Sequence, residues 1–481
     1  MAKPGERHWR DRLSALGFSR QGVAQAFAKL LRPGAQSPSF GASLAADLPE
    51  EDLGRLRKRI DECLEARGGA VSARARAAEL GRAYLALDEK GRTRFLTLLA
   101  SDYGPDREAL AAAAAAVAGA EPAAFPAARR ALAEALVTPR LKLLRQFNGL
   151  EQGAKFLVDL RADLLALKNA DPAVAAFEAE LYDLLASWFD VGFLTLQRIT
   201  WEAPAALLEK LVAYEAVHEI RSWDDLKNRL DSDRRCYAYF HPAMPDEPLI
   251  FVEVALVAGL SGNVQALLDE HAPAHDPAKA DTAIFYSISN AQKGLQGVAF
   301  GDFLIKRVVD TLAHDLPNLK VFATLSPIPG FRRWLAQRVE TGVPLLHGEE
   351  AQSLAGLAPG AEAEPALLGL LDGPGWPRND ALAAALQPIL MRLCARYLLE
   401  EKRTEKHGSP RAADPVAHFH LSNGARVERI NWLADVSKNG LSQSAGLMVN
   451  YLYRLGDIET NHERYRSEGR ITASGGVKNL L

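Results

Sequence analysis

The stretch TAIFYSISNAQKGLQGVAFGDFLIKRVVDTLAHDL, residues 282–316, passes from one hydrophobic period to another. Its first nine residues are mostly apolar, β-branched or aromatic and read as a buried strand. A loop punctuated by Gly294, Gly297 and Gly301 follows, and the apolar positions of GDFLIKRVVDTLAHDL then suit a helix. Such a turn can aim backbone N–H groups at an anion, helped by the helix N-terminus. It is not a Walker A loop, because no Gly-Lys-Ser/Thr closes it, and GLQGVAFG lacks the GxGxxG spacing of dinucleotide folds. On spacing alone, a phosphate-binding loop and a plain strand-to-helix turn both stay open.

Working outward, CYAYF (236–240), the turn-rich HPAMPDEP and LIFVEVALV (249–257) read as strand, loop and strand. SGNVQALLDEH reads as a capped helix, and LKVFATLS (319–326) as a strand cut off by Pro327 and Pro329. In VAHFHLSNGARVERINWLADVS, Asn423-Gly424 between two apolar runs predicts a hairpin. Strands alternate with helices and also form hairpins, so this half is expected to be mixed α/β with a partly antiparallel sheet. The Gly-, Ala- and Pro-rich segment 349–380 reads as an insertion or surface loop.

The first part of the chain differs in kind. Of twelve isoleucines only Ile60, and of seven tryptophans only Trp9, precede residue 185. Ala, Leu, Arg and Glu dominate there, the residues that favour helices. Leu157, Leu160, Leu164 and Leu167 recur at helical spacing, and Thr138-Pro139 reads as an N-cap and N1 pair. The run Ala111 to Ala116 predicts one close-packed helix. Residues 1–190 are therefore expected to form an all-helical bundle, with a frayed start and a loop near 33–42, and residues 191–481 a second domain.

The 481 residues carry 57 Lys+Arg against 60 Asp+Glu, a formal net charge of −3. No whole-molecule field draws in nucleic acid or an anionic membrane. No charge-free apolar run of ~18 residues suggests a membrane span. Cys63, Cys236 and Cys394 are scattered without a CxxC, which fits a reducing compartment, and the cytoplasm is the default expectation.

Two further motifs carry candidate chemistry. In LSPIPGF (325–331), Pro327 forces Ser326 towards an extended backbone at a strand end, where α/β ligands tend to bind. A serine satisfied by its own turn explains the residues equally well. No G-x-S-x-G elbow occurs, which disfavours a hydrolase-type nucleophile. In HFHLSNG, strand alternation would place His418 and His420 on one face. A metal-chelating pair, a satisfied structural pair and a single catalytic histidine all fit that spacing. Lys293, Lys306, Arg307, Arg332 and Arg333 could meet phosphates or be solvated surface charges.

The strand, Q-x-x-G-like loop and helix order is similar to the pyrophosphate-binding loop of GNAT-type acyl-CoA enzymes. Taken together, TAIFYSIS, GLQGV, GDFLIKRVV, LSPIPGF, LQPILMRLCARYL, FHLSNGA and INWLADVS, in order across roughly 235–455, resemble the malonyl-CoA decarboxylase family. GAKFLVDLRADLL extends the resemblance into the helical half. It implies an N-terminal helical bundle used in oligomerisation, as a tetramer, and a C-terminal GNAT-like catalytic domain with a mixed sheet. It implies malonyl-CoA as substrate, with no metal or organic cofactor.

Matched motif by motif, the catalytic serine falls on Ser326 and the catalytic histidine on His420. The CoA-contacting loop covers Gln296, Gly297, Val298, Ala299, Phe300, Gly301 and Asp302. Ser287 and Tyr453 fall where supporting hydrogen-bond residues are expected. Some family members carry glutamate where this chain has Ala299, so no acidic role transfers there, and Asp302 is a conceivable substitute. Two other classes remain: a GNAT-type acyltransferase, and a CoA-binding scaffold without turnover.

Overall fold

The computed structural model describes residues 40–65, 69–298, 301–357, 360, 362–373, 375–403 and 410–481. The start expected to be frayed and most of the loop expected near 33–42 lie outside the described residues.

From Glu50 the chain is helical: α1 (Glu50–Leu64), α2 (Gly69–Ala86), α3 (Glu89–Asp102), α4 (Arg107–Ala118), α5 (Phe125–Ala135), α6 (Pro139–Asn148), α7 (Gly153–Leu167) and α8 (Pro172–Trp188). Thr138 opens α6, its hydroxyl accepting the Leu141 N–H at 3.2 Å, a cap of about 1 kcal/mol. Leu157, Leu160 and Leu164 are fully buried along α7. The alanine run does form a helix, α4, but it is not close-packed: α4 and its hairpin partner α5 contain no buried residue.

Beyond Trp188 the chain builds one large sheet from β1 (Thr195–Ile199), β2 (Arg234–Phe240), β3 (Ile250–Val257), β4 (Thr282–Asn290), β5 (Val321–Thr324), β6 (Ser326–Pro327), β9 (Arg426–Asn431) and β10 (Met448–Leu452). Two short strands, β7 (Lys402–Arg403) and β8 (Arg411–Ala412), pair separately. Strands β1 to β4 are antiparallel neighbours. Then β4 and β5 run parallel, from Thr282↔Val321 to Phe285↔Thr324. Strand β10 pairs antiparallel with both β5 and β6 on one side and with β9 on the other.

That one parallel pair makes the fork on which the site depends. After the Leu325 N–H bonds to Phe285 O at 3.0 Å, β4 continues to Asn290 while β6 holds to β10. The β3–β4 register also shifts between Glu253 and Val254, opposite Ser287 and Phe285, which leaves Tyr286 as a bulge. A bulge re-aims the side chains beyond it.

The helices of this part are α9 (Ala205–Tyr214), α10 (Trp223–Arg229), α11 (Val264–Leu267), α12 (Gly301–Asp315), α13 (Phe331–Glu340), α14 (Gly348–Leu357), α15 (Ala363–Asp372), α16 (Asp380–Leu399), α17 (Pro415–Ser422), α18 (Lys438–Ser444), α19 (Ile458–Glu468) and α20 (Gly475–Lys478). The expected fold class, a helical region followed by an α/β domain with a mixed sheet, is the one observed. One buried cluster joins Phe156 and Leu160 of α7 to Phe285, Leu295 and Val308. Helix α16 is apolar and long enough to cross a membrane by length and composition, yet Leu386, Leu390 and Leu393 are buried in the core.

Two expectations are corrected. Segment 349–380 is not a surface loop: α14 and α15 occupy most of it, and Leu354, Leu367 and Leu371 are buried. Its alanines, read as loop composition, are strong helix formers beside leucines at helical spacing. Nor does HFHLSNG form a hairpin strand. Asp414 caps α17, accepting the Val416 and Ala417 N–H groups at 2.9 and 3.0 Å, and Pro415 sits at its first position. Asn423-Gly424 is the end of that helix, where Gly424 takes a positive φ of 80°.

Candidate active site

Ser326 stands at the mouth of the fork, two residues after Thr324 and therefore on the same side of the extended chain. Its hydroxyl donates to Thr324 Oγ1 at 2.8 Å and lies 3.1 Å from His420 Nε2. Thr324 Oγ1 also accepts the Tyr451 N–H at 3.1 Å. The other ring nitrogen, His420 Nδ1, is 2.8 Å from the Tyr453 hydroxyl. The imidazole stacks on the Tyr451 ring, with centroids 4.6 Å apart.

The two distances to the ring nitrogens suit either tautomer of His420. In the arrangement with the Ser326 proton on Thr324, Ser326 Oγ accepts from His420 and the ring hydrogen is on Nε2. A neutral imidazole has one N–H, so Nδ1 accepts the Tyr453 proton. Burial keeps the ring neutral, pushing its pKa from 6.5 down to about 3. Burial likewise holds the Tyr453 phenol well above its usual range, so it stays an O–H donor.

The surrounding fold fixes both partners. The Asp414 carboxylate that caps α17 also accepts the Gly330 N–H at 3.1 Å, tying the histidine helix to the bend after Ser326. The Ile328 N–H bonds to Ser444 Oγ at 3.0 Å. Buried Asn450 donates to Thr324 O at 2.7 Å, and its Oδ1 accepts from Asn431 at 2.8 Å and Arg429 at 3.1 Å. Beside Ser326 and His420 opens a cavity of about 230 Å³, walled by Phe285, Ile288, Asn290, Val416 and Phe419.

The helical geometry separates the two histidines. Two residues along a helix turn a side chain through about 200°, and His418 Nδ1 meets the Tyr465 hydroxyl at 2.8 Å instead of joining His420. Among the described residues no cluster of three or more His, Cys, Asp or Glu forms a metal-binding group. Of the two residues expected to support the pair, Tyr453 contacts His420, whereas the Ser287 hydroxyl donates to both Glu215 oxygens at 2.8 Å, beside Ser289. Glu215 belongs to a separate, polar cavity of about 660 Å³, which shares Val217 with the smaller one.

The glycine loop precedes α12. Gly297 has φ +86°, a conformation natural to glycine. Ala299 and Phe300, and the side chain of Asp302, lie outside the described residues. Lys306 pairs with Glu459 at 3.0 Å, Arg307 donates to Leu194 O at 3.3 Å, and Arg332 pairs with Asp372. Sequence reasoning missed Thr324, Asp414 and Asn450. The Thr-x-Ser alternation, the Asp-Pro pair and the polar residue inside MVNYL were the available signals.

A forked α/β sheet carrying a buried serine–histidine–tyrosine hydrogen-bond chain against a cavity walled by apolar side chains has the groups of an acid–base site. Comparison with known proteins gives the family. The malonyl-CoA decarboxylase C-terminal domain matches residues 192–481, and the N-terminal domain of the same family matches residues 103–189. The mitochondrial malonyl-CoA decarboxylase of Anser anser anser is 42% identical over 424 residues, covering 84% of this chain and 83% of the relative. That of Rattus norvegicus is 42% identical over 362 residues, 73% of this chain and 72% of the relative. The crystal structure of malonyl-CoA decarboxylase from Rhodopseudomonas palustris superposes with a TM-score of 0.80 at 42% identity, covering 89% of this chain and 99% of that one. The chain belongs to the malonyl-CoA decarboxylase family.

Proposed function

We propose that this enzyme converts malonyl-CoA to acetyl-CoA and CO2, with Ser326 and His420 as the proton-transfer pair and Tyr453 in support. The observation that carries the mechanism is the unbroken hydrogen-bond chain from Tyr453 through His420 to Ser326, read with the ring hydrogen on Nε2. Cleavage of the bond between C2 and the carboxylate leaves its electron pair on the thioester as an enolate, which needs a donor at oxygen and a proton at C2. The ordered chain from Tyr453 through His420 to Ser326 supplies protons towards the cavity. The Ser326 hydroxyl turns from Thr324 to C2 and gives up its proton, and His420 Nε2–H refills it. His420 Nδ1 takes the Tyr453 proton; after CO2 departs, a solvent proton entering through the cavity reprotonates the chain from the Ser326 end, returning the hydrogens to Nε2 and to the Tyr453 hydroxyl, so one proton is consumed per CO2 released. Phe285, Ile288, Val416 and Phe419 strip water from the carboxylate and favour its loss as neutral CO2.

A serine nucleophile would need the opposite polarity, with His420 accepting the serine proton and a carboxylate behind the ring. Here a phenol, not a carboxylate, stands behind the ring. That favours decarboxylation over acyl transfer through a seryl intermediate.

We assign the Gln296–Asp302 loop and the start of α12 to the CoA pyrophosphate. The two-part division at residues 190 and 191, and tetramer formation through the helical part, belong to the same reading. The α4–α5 hairpin, with no buried residue and with Phe125 exposed, is the surface we assign to assembly, and light scattering of the purified chain measures the assembled mass directly. We place the enzyme in the cytoplasm, where its three buried free cysteines stay reduced. The goose and rat relatives carry a mitochondrial name, and fractionation of the producing cells separates the compartments.

The deciding assay is CO2 release from malonyl-CoA with no acyl acceptor present, repeated with a chelator. Stoichiometric acetyl-CoA and CO2, unchanged by chelation, is the expected result. Consumption only when an amine is added would favour an acyltransferase, and binding without turnover a scaffold.

A further inference from the structure

The helical part does more than flank the site. Arg161 of α7 is buried, and Glu178 of α8 accepts from its Nε at 2.9 Å and its Nη2 at 2.7 Å. Its remaining donors cross to the glycine loop, Nη1 to Gly294 O at 2.6 Å and Nη2 to Gln296 O at 2.9 Å. The guanidinium also lies over the Tyr182 ring, 4.9 Å from its centroid, and the Tyr182 hydroxyl donates to Gly297 O at 3.2 Å. Three carbonyls of one short loop are thus drawn towards two helices far away in sequence. The approach is close enough that a Cβ on Gly294 would stand 1.7 Å from Val158 O.

Peptide geometry converts this into a statement about the opposite side of the loop. Among the described residues no peptide is cis, and across a trans peptide the C=O and the following N–H point in opposite directions. Drawing Gln296 O onto Arg161 therefore turns the Gly297 N–H away from the helices. Within the described residues that N–H donates to no backbone carbonyl, whereas Gln296 N–H and Val298 N–H bond internally to Lys293 O and Leu295 O. A backbone N–H left over in a glycine turn ahead of a helix is suited to a phosphate oxygen.

We infer that Arg161, held by Glu178 and assisted by Tyr182, is a positioning residue that presents the Gly297 amide to the CoA pyrophosphate, so that the helical part sets substrate affinity. This rests on the assignment of the Gln296–Asp302 loop to CoA. Its charge never needs to touch the substrate. A lysine there would keep an ion pair with Glu178 but lacks the planar fork that reaches both carbonyls.

The test measures KM for malonyl-CoA, kcat, and CoA affinity by calorimetry in Arg161→Lys, Tyr182→Phe and Gly297→Val. The half-exposed Tyr182 hydroxyl can be lost without opening the core, so Tyr182→Phe remains informative where an Arg161 variant fails to fold. Arg161→Lys is expected to raise KM and weaken CoA binding about tenfold, and Tyr182→Phe about two- to threefold, with kcat within about threefold of the parent. Gly297→Val, which strains a positive-φ position, is expected to weaken CoA binding most. Folded Arg161 and Tyr182 variants with parental KM and CoA affinity, beside a weakened Gly297→Val, overturn the inference while leaving the loop assignment standing. Parental affinity in Gly297→Val as well overturns the loop assignment and the inference with it.

Discussion

The proposed proton-transfer pair and the glycine loop are held in opposite ways. Ser326 and His420 sit in a buried hydrogen-bond network supplied by residues from Thr324 onward: Thr324, Asp414, Asn450 and Tyr453. The loop is held by an ion pair reaching in from the helical part, Arg161 with Glu178, more than a hundred residues earlier in the chain. Buried hydrogen bonds hold the His420 ring by both of its nitrogens. A charged fork that binds carbonyls fixes a backbone shape. If the loop binds CoA as proposed, turnover and binding rest on separate supports, and substitutions should separate them.

The comparison breaks most visibly at His420. His420→Asn is expected to lower kcat by roughly a thousandfold while CoA affinity changes little, measured by steady-state CO2 release and calorimetry on one preparation. Ser326→Ala should cost kcat about a hundredfold, again with CoA binding nearly intact. On the other support, Gly294→Ala pushes a methyl into Val158 O and displaces the loop. KM should then rise at least about tenfold, with kcat less affected. A fall in kcat that exceeded the rise in KM would merge the two supports. Ser287→Ala should leave kcat within about threefold, because its hydroxyl is spent on Glu215; a large loss would put Ser287 back with the catalytic pair.

How far the sequence could be read follows the range of the interactions. The strand–loop–helix unit at 282–316, the Thr138-Pro139 cap and the two-part composition are local signals, and each became the expected element. Ser326, His420 and Tyr453 came from resemblance to a family, since nothing in their spacing brings residues 326, 420 and 453 together. The strand assigned to HFHLSNG failed because its alternation was read without Asp414-Pro415, whose cap starts a helix. The roles of Arg161 and Glu215 were not legible at all, and Asn450 showed only as a polar residue inside a strand. Each depends on a partner fixed only by tertiary packing: Gly294, Ser287 and Thr324 respectively.

The proposed chemistry needs a neutral His420 beside Ser326. Its pKa of about 3 in the folded enzyme, against 6.5 when exposed, means the unfolded chain takes up a proton first as pH falls. Acid should therefore erode stability between those values, while the ring in the folded enzyme stays neutral throughout. The direct measurement is the pH dependence of kcat for CO2 release between about pH 5 and pH 8, at pH values where circular dichroism shows the fold intact. The ring is expected to contribute no acidic limb in this window. A limb centred near 6.5 and abolished by His420→Asn would show that the imidazole titrates during turnover, and would contradict the claim.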